Sequence, residues 1–394
     1  MVTNTKRHSA PLTEIEHLAF CTTEDQLKPK PLEEELKVNV RWQNIPDEYL
    51  DLSMDQLDER ILRARQDLGT AVTILGHYYQ REEVIKYVDF QGDSFKLSQQ
   101  AASQHEADYI VFCGVHFMAE TACILCKPNQ QVILPNIAAG CSMADMAPTD
   151  DVIDAWDDLM EVLGEGSVIP ITYMNSTADI KALCGKNGGI VCTSSNASAV
   201  FEWAFERGDK VLFIPDQHLG RNTGLEYGIG LDEMALWNPF KQLGGLTIDR
   251  INKARVLLWR GHCSVHTRFT VGQITKARER HPDVNVIVHP ECVMGVVAAA
   301  DFKGSTEVIR KTINNAPSGT KWGVGTEISL VNRIARDNPD KFIFCLDPVV
   351  CPCSTMYRIH PAYLAWVLEG LTDGKVVNRI TVDQDTHTYA SIAL

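Results

Sequence analysis

The sequence predicts an α/β protein made of three parallel-sheet domains, related by pseudo-threefold symmetry and packed around a central active site. Short apolar runs alternate with amphipathic helical stretches along most of the chain, a pattern typical of parallel sheets wound with helices. One set of polar motifs also occurs three times, as repeated domains require. The predicted boundaries are 1–60 for an N-terminal extension, 61–150 and 151–267 for two domains, and 268–394 for the third domain with a C-terminal segment.

The secondary structure follows from the same alternation. Residues 1–60 are charged and contain several prolines, so we expect a peripheral extension with short helices at most. After them, β-rich apolar runs predict strands at 71–78, 109–115, 132–135, 168–173, 189–193, 210–215, 256–259, 285–289, 321–324 and 341–346. Amphipathic stretches predict helices at 94–104, 152–163, 177–184, 197–207, 271–280 and 329–337.

Composition and charge limit the classes of function. The 394 residues are 45% hydrophobic, which is ample for a folded core, and the net charge of -14 argues against binding nucleic acid. Residues 1–20 lack the apolar segment of a signal peptide, and the apolar stretch 293–300 is too short to cross a bilayer. We therefore expect a cytoplasmic protein without a membrane partner, whose twelve cysteines do not form a disulfide framework.

The repeat is most regular in its first and last copies. Each copy has a histidine at a strand end, a hydroxyl residue 17 positions later at a helix start, and a Cys-Ser pair a further 47 positions on. The members are His77, Ser94 and Cys141 in the first copy, and His289, Thr306 and Cys353 in the last. A second polar residue follows each histidine by two positions, namely Tyr79 and Glu291. Because parallel sheets place ligands at the carboxyl ends of their strands, we expect these residues to converge.

The middle copy is less regular. It has Tyr173 and Asn175 at a strand end, then Ser194, then Cys263, which precedes a serine like the other two cysteines. The interval of 69 residues from Ser194 to Cys263 is longer because a Gly-rich insertion, 219–255, lies within it. The copy is therefore interrupted rather than absent.

The three repeated cysteines are candidate metal ligands. Three thiolates at one point can hold zinc or an iron-sulfur cluster. Cys141, Cys263 and Cys353 are separated by 122 and 90 residues, whereas structural zinc sites use ligands close in sequence and need a fourth one. The spacing therefore favours a cluster with one iron open, used as a Lewis acid on a small anionic substrate. Cys351 lies two residues before Cys353, so either of them is a candidate for the third ligand, although the repeat spacing favours Cys353.

Other motifs are interpreted as structural. The pair Cys123 and Cys126 forms a C-x-x-C on an apparent helix and is interpreted as packing thiols, although zinc or redox chemistry remains an alternative. The segment 262–266, with a histidine at each end, suggests a supporting role beside Cys263. The glycines at 323–325 lack the third glycine of a dinucleotide-binding loop. Packing is also the simplest role for Cys21, Cys113, Cys184, Cys192, Cys292 and Cys345.

Nine short motifs together resemble those of the quinolinate synthase family, in a longer form with an insertion before the second cluster cysteine. They are GHYYQ at 76–80, GDS at 92–94, GVHFMAET at 114–121, YMN at 173–175, CTSSNA at 192–197, PDQHLGRN at 215–222, VHPEC at 288–292, GST at 304–306 and CPCSTM at 351–356. The resemblance implies three α/β domains that each give one cysteine to a 4Fe-4S cluster. It also implies condensation of iminoaspartate with dihydroxyacetone phosphate to quinolinate, with loss of phosphate and two waters, in de novo NAD biosynthesis.

The resemblance assigns residues by motif. It implies that Cys141, Cys263 and Cys353 bind the cluster. The residues implied to hold substrate are His77, Ser94, Tyr173, Asn175, Ser194, His289, Glu291 and Thr306. We expect Glu291, oriented by His289, to act as the general acid or base, with Tyr79 and His77 assisting.

Partners and rival functions follow from the same assignment. The resemblance implies a functional link to an aspartate-oxidising enzyme that supplies iminoaspartate. Two alternatives stay open. One is another cluster-dependent hydro-lyase acting on a hydroxy acid, and the other is a cluster- or zinc-binding module without catalytic activity.

Overall fold

The computed structural model describes residues 10–24 and 26–394, whose strands form three all-parallel sheets. The first sheet contains β1 (Val72–His77), β2 (Phe90–Gly92), β3 (Tyr109–Cys113) and β4 (Gln131–Ile133). The second contains β5 (Val168–Tyr173), β6 (Ile190–Cys192), β7 (Lys210–Ile214), β8 (Met234–Trp237) and β9 (Val256–Trp259). The third contains β10 (Val284–Val288), β11 (Phe302–Lys303), β12 (Lys321–Gly325) and β13 (Phe342–Cys345).

The three sheets repeat one strand order. The first runs β2-β1-β3-β4, the third runs β11-β10-β12-β13, and the second runs β6-β5-β7-β9 with β8 added at its edge. Strand β8 comes from the insertion 219–255, which therefore extends the second sheet without changing the common order. The predicted class, three parallel-sheet α/β domains, is confirmed. Each sheet lies within one predicted domain range, and the boundaries themselves stay a prediction.

Helices connect and cover the strands. Up to the end of the first domain they are α1 (Leu12–Ile15), α2 (Leu32–Glu35), α3 (Met54–Leu68), α4 (Glu82–Ile85), α5 (Ser94–Ser103), α6 (His116–Leu125) and α7 (Ser142–Asp145). The second domain has α8 (Thr149–Leu163), α9 (Ala178–Lys186), α10 (Ala197–Phe205), α11 (Gln217–Glu226) and α12 (Ile248–Lys253). The remaining helices are α13 (Val271–Arg280), α14 (Met294–Ala299), α15 (Thr306–Asn314), α16 (Ile328–Asp337), α17 (Ser354–Tyr357), α18 (Pro361–Thr372) and α19 (Gln384–Ala393). Short 3₁₀ helices lie at Asp47–Tyr49, Gly69–Ala71, Leu231–Glu233, Gln242–Gly245 and His266–Arg268.

Local chemistry explains how the central strands and the helix starts are placed. Every residue of β1 and β5 is buried, as expected of parallel strands covered on both faces, and this is why both are continuous apolar runs. Helix α5 begins at Ser94 and α15 at Thr306, each preceded by a residue whose side chain accepts a backbone N–H of the first turn. In the second domain Ser194 lies in the turn just before α10, which begins at Ala197.

The N-terminal segment is not peripheral, contrary to the sequence prediction. Leu32 and Tyr49 are 0% and 5% exposed and belong to the core that surrounds the first two sheets. Arg81, which follows β1, donates two hydrogen bonds of 2.9 and 2.7 Å to the buried carboxylate of Glu35. The N-terminal segment therefore packs against the domains instead of extending away from them. The part of the prediction that concerns residues 1–9 lies outside the described residues.

The C-terminal segment packs on elements far from it in sequence. Helix α18 faces α3, where Glu369 accepts hydrogen bonds from Tyr49 (2.6 Å) and Arg60 (2.7 Å). Helix α19 faces α9 so closely that a Cβ added to Gly185 would lie 1.9 Å from the backbone oxygen of Tyr389. Within the described residues, no helix combines the length and apolar character needed to cross a membrane.

Candidate active site

A cavity lies where the three domains meet. Residues at or just after the ends of β1, β5 and β10 line it, so the three sheets present equivalent edges to one space. All twelve residues singled out from the sequence are among its lining residues: His77, Tyr79, Ser94, Cys141, Tyr173, Asn175, Ser194, Cys263, His289, Glu291, Thr306 and Cys353. The predicted convergence is therefore observed, whereas the roles of these residues stay predictions.

The three cysteines occupy equivalent local positions in the cavity wall. Cys141 immediately precedes α7 and Cys353 immediately precedes α17, so backbone N–H groups of each short helix hydrogen-bond the sulfur. The backbone N–H of His266 does the same for Cys263. The serines after Cys141 and Cys263 meet, with 3.3 Å between their hydroxyl oxygens. The loops that carry these cysteines are therefore in contact.

The electrostatics of the three thiols suit a bound metal centre. Burial raises the pKa of all three, and nearby carboxylates and cysteines raise it further for Cys141 and Cys263. Three thiolates in one buried space repel each other, so their ionisation requires a positive centre between them. The backbone N–H groups aimed at the sulfurs supply only partial compensation. This donor set fits a metal cluster with three cysteine ligands.

Cys351 does not line this cavity. It forms a disulfide with Cys21, and its Cα lies 4.1 Å from that of Cys21. The interpretation of Cys21 as a simple packing residue is therefore wrong. The N-terminal segment passes over the third domain and brings Cys21 next to Cys351, in the loop before Cys353. Cys126 is buried and Cys123 half-buried at the end of α6, away from the cavity lining.

Glu291 is the centre of a buried polar network in the cavity. It is 2% exposed, and its two carboxylate oxygens accept separate hydrogen bonds from the Tyr173 hydroxyl (2.6 Å) and from Nδ1 of His266 (2.8 Å). Although burial raises the pKa of Glu291, the adjacent histidines and these hydrogen bonds hold it below its usual range. Glu291 is therefore a carboxylate at neutral pH.

Four titratable groups near Glu291 are neutral at pH 7, namely His77, His289, Tyr79 and Tyr173. Burial lowers the pKa of His77 and of His289 to about 3, and burial together with the Glu291 charge raises the pKa of Tyr79 and Tyr173 well above 10. The site thus offers one base, neutral imidazoles and two protonated phenols. Such a set can accept one proton at Glu291 and donate another from a phenol.

The remaining wall suits an anion without cationic side chains. Ser94 and Thr306 are the first residues of their helices, where unpaired backbone N–H groups favour negative charge. Ser195, next to Ser194, donates a 2.8 Å hydrogen bond to Ser305, so the second and third domains are joined at this wall. Among the described residues that line the cavity, none is Lys or Arg. Hydroxyl and backbone N–H groups must therefore bind any carboxylate or phosphate here.

Comparison with known proteins gives the chain its family. The model of the family described as "Quinolinate synthetase A protein" matches residues 59–394, which is most of the chain. The chain belongs to this family. Its relatives include the quinolinate synthases of Corynebacterium glutamicum (59% identical; 90% of each chain covered), Nocardioides sp. (55%; 86% of this chain and 88% of the relative) and Streptomyces coelicolor (54%; 85% and 86%). The resemblance carried by the nine motifs is confirmed, and with it the prediction of an enzyme.

Two further residues belong to the site of this quinolinate synthetase A family member. His266 and Thr326 are each 1% exposed, and the Thr326 hydroxyl lies 2.8 Å from the Tyr79 hydroxyl and 3.1 Å from Nε2 of His266. The His266 ring also stacks on that of His289, with centroids 4.3 Å apart. The sequence indicated only a supporting role for His266, because segment 262–266 has no acidic ligand nearby in the sequence, and Thr326 was missed because it belongs to none of the repeated motifs.

Two observations extend the donor set of the site. The ligand atoms of Cys263, His266 and Glu291 all lie within 4.8 Å of one another, so they can also hold a single metal ion. That ion would leave Cys141 and Cys353 without a role, whereas a cluster uses all three cysteines. Asp216, which caps α11, is buried near Glu291, and burial and the Glu291 charge raise its pKa well above its ordinary value. Of these two carboxyl groups, Glu291 is therefore the stronger acid.

Proposed function

We propose that the chain is a quinolinate synthase, which condenses iminoaspartate with dihydroxyacetone phosphate to quinolinate, losing phosphate and two waters, for NAD biosynthesis. The observation that carries the proposal is the convergence of the three repeated Cys-Ser loops and the three polar strand ends on one cavity. Family membership and relatives above 50% identity support the same activity.

We further propose that Cys141, Cys263 and Cys353 hold a 4Fe-4S cluster. No other cysteine among the described residues lines the cavity, so the protein supplies three thiolates and leaves a fourth coordination position open. When bound, such a cluster supplies a Lewis acid that makes hydroxide a better leaving group.

The substrate anions are bound by groups of the chain itself. Ser94, Ser194 and Thr306 offer hydroxyl groups, and the N-termini of α5 and α15 offer backbone N–H groups. These donors come from three different domains. Donors of one domain can therefore bind one substrate while donors of another domain bind the second, which fixes the orientation of the two substrates relative to each other. Holding two reactants in this way reduces the entropic part of the barrier to their condensation. Asn175 and His77, which follow and end strands β5 and β1, also line the cavity.

Glu291 is the proposed general base. As a carboxylate at neutral pH it can remove a proton in the tautomerisation and dehydration steps, and its bond to His266 links it through Thr326 to the Tyr79 hydroxyl. Tyr79 and Tyr173 remain protonated and can donate to oxygen that develops negative charge or leaves as water. His77 and His289, both neutral, fix the positions of their neighbours. His289 accepts a 3.3 Å hydrogen bond at Nδ1 from the backbone N–H of Glu291.

The supply of substrate and the location of the chain also stay proposals. Iminoaspartate carries a C=N bond that water hydrolyses, so it must be made close to its point of use. We propose an aspartate-oxidising enzyme as the source. A cytoplasmic location stays a prediction.

The proposal is tested by assaying the anaerobically purified protein with iminoaspartate and dihydroxyacetone phosphate and quantifying quinolinate by chromatography. We expect turnover by the wild-type protein and a loss of about 10²-fold or more in Glu291→Gln, because the amide cannot accept the proton. Glu279→Gln, at an exposed position on α13, is the matched control and should retain wild-type turnover. Absence of quinolinate with a fully loaded protein would contradict the proposed activity, and full turnover by Glu291→Gln would contradict the role of Glu291.

A further inference from the structure

One short N-terminal segment, residues 12–22, contacts the three loops that carry Cys141, Cys263 and Cys353. We call this segment the clasp. At its start, the Thr13 hydroxyl donates a 2.5 Å hydrogen bond to Asp145, at the end of the helix that begins after Cys141. Thr13 is 1% exposed and lines the cavity itself. Its methyl group lies only 3.3 Å from where a Cβ on Gly140 would be. The clasp therefore closes the cavity beside Cys141.

The next residues of the clasp hold the second loop. A carboxylate oxygen of Glu14 lies 3.2 Å from Nε2 of His262, the residue before Cys263. Both side chains are largely shielded from solvent, so the pair is held more firmly than an ion pair on the surface. Thr13 and Glu14 thus connect the loops of Cys141 and Cys263 from one side.

The end of the clasp holds the third loop. Thr22 pairs with Val350 as an antiparallel bridge, with N–O distances of 2.9 and 3.0 Å, and Cys21 forms the disulfide with Cys351. The carboxylate of Glu16 accepts a hydrogen bond from the fully buried Arg358, four residues after the α17 start. Arg358 also donates to the backbone oxygen of Ala138, in the loop before Cys141.

Specific polar contacts, rather than core burial, hold the start of the clasp. Its large apolar residues Leu12, Ile15 and Leu18 are 56%, 65% and 55% exposed, whereas the residues that face inward are Thr13 and, further along, Phe20. Loss of these polar contacts should therefore release the clasp without opening the core. The family model begins at residue 59, so the clasp lies outside the part of the chain that the model describes.

We propose that the clasp fixes the three cysteine loops relative to one another and shields the thiols, with Thr13, Glu14 and Glu16 as positioning residues. The loops come from three domains, so no single domain can set their separation. If the cysteines bind a cluster, the clasp slows the loss of its iron. Only this last consequence rests on the proposed function.

The first experiment uses the full-length, metal-free and reduced protein. Alkylation by iodoacetamide is followed at Cys141 and Cys263 by peptide mass spectrometry, with Cys113 in β3 as an internal reference for the core. The clasp variant is Thr13→Ala/Glu14→Ala/Glu16→Ala, and the matched control is Glu33→Ala/Glu34→Ala, at exposed positions of α2. We expect alkylation of Cys141 and Cys263 to be about tenfold faster in the clasp variant only, because local opening becomes more frequent.

Two results overturn the inference. One is an unchanged alkylation rate at Cys141 and Cys263. The other is an equal acceleration at Cys113, which means that the three residues stabilise the whole fold rather than the loops.

The second experiment separates the clasp from the proposed function. Protein reconstituted with iron and sulfide is mixed with an iron chelator, and we expect iron release about tenfold faster in the clasp variant than in the wild type or the control. Faster alkylation with unchanged iron release overturns the effect on cluster retention. Failure of the wild-type protein to take up iron and sulfide contradicts the proposed cofactor, and the alkylation result then still decides whether the clasp fixes the loops.

Discussion

At the scale of single residues, burial sets the charge of the site. Glu291 keeps its charge because it accepts hydrogen bonds from Tyr173 and His266, whereas burial and the Glu291 charge raise the pKa of Asp216 nearby. His77 and His289 lose their charge because a charged form in this interior lacks sufficient solvation. The sequence identified these residues by their recurrence. Their charge states could not be predicted, because they depend on packing between the three domains.

Lys181 shows the same effect outside the cavity and gives a pH prediction. It is 0% exposed on α9, donates to the backbone oxygen of Ser176, and burial lowers its pKa to about 8. The unfolded chain keeps this proton to about pH 10.5, so between pH 8 and 10.5 the unfolded state binds more protons. Wild-type stability should therefore rise with pH relative to Lys181→Met, by about 2 kcal/mol between pH 8 and 10.

Urea unfolding of the metal-free proteins at these two pH values measures the difference. Lys186→Met, on the same helix with a side chain about half exposed, is the control and should show no such pH dependence. A stability difference between wild type and Lys181→Met that stays constant from pH 8 to 10 would argue instead that Lys181 holds its proton in the folded protein as firmly as in the unfolded chain.

At the scale of elements, close contact between helices α9 and α19 gives a prediction for Gly185. A side chain there meets the backbone of Tyr389 at 1.9 Å, so Gly185→Ala should displace α19 and lower the free energy of unfolding by about 1–3 kcal/mol. Gly272→Ala, in the first turn of α13, meets only the Thr270 hydroxyl at 3.8 Å and should be neutral or stabilising by up to about 1 kcal/mol. Chemical denaturation compares the two, and equal effects would mean that α19 is not packed as described.

The strands show which elements a sequence can predict. All ten predicted strands are present, because central parallel strands such as β5 are continuous apolar runs between turn residues. Strands β2 and β11 were missed because they have three and two residues and face solvent in part. Strand β8, Met234–Trp237, was not predicted because it has only four residues and lies within a Gly-rich segment, a composition that is typical of loops.

At the scale of the whole molecule, the repeat predicted the convergence of three domains but not the path of the N-terminal segment. Equal spacing of motifs implies equal positions in repeated domains, so the meeting of Cys141 and Cys353 could be inferred. Residues 10–60 have no counterpart in the repeat, and their composition resembles an exposed extension. Their burial depends on partners far away in the sequence, such as Glu35 with Arg81 and Thr13 with Asp145.

The position of Cys353 in the cavity gives a prediction for the cluster. Cys353→Ser should lose most of the bound iron and sulfide, because it removes one of three thiolates from three different domains. Cys351→Ser should keep the wild-type content, because Cys351 contacts Cys21 outside the cavity. Iron and acid-labile sulfide are quantified after anaerobic purification under reducing conditions. A full cluster in Cys353→Ser, with loss in Cys351→Ser, would instead assign the third ligand to Cys351.

The absence of Lys and Arg from the described cavity lining affects how ligands arrive. A chain of net charge -14 repels anions at long range, and no cationic side chain in that lining offsets this near the cavity. Capture of an anion therefore depends on short-range, neutral donors rather than on a guiding field. Encounter should be slow and should become faster, not slower, when added salt screens the repulsion.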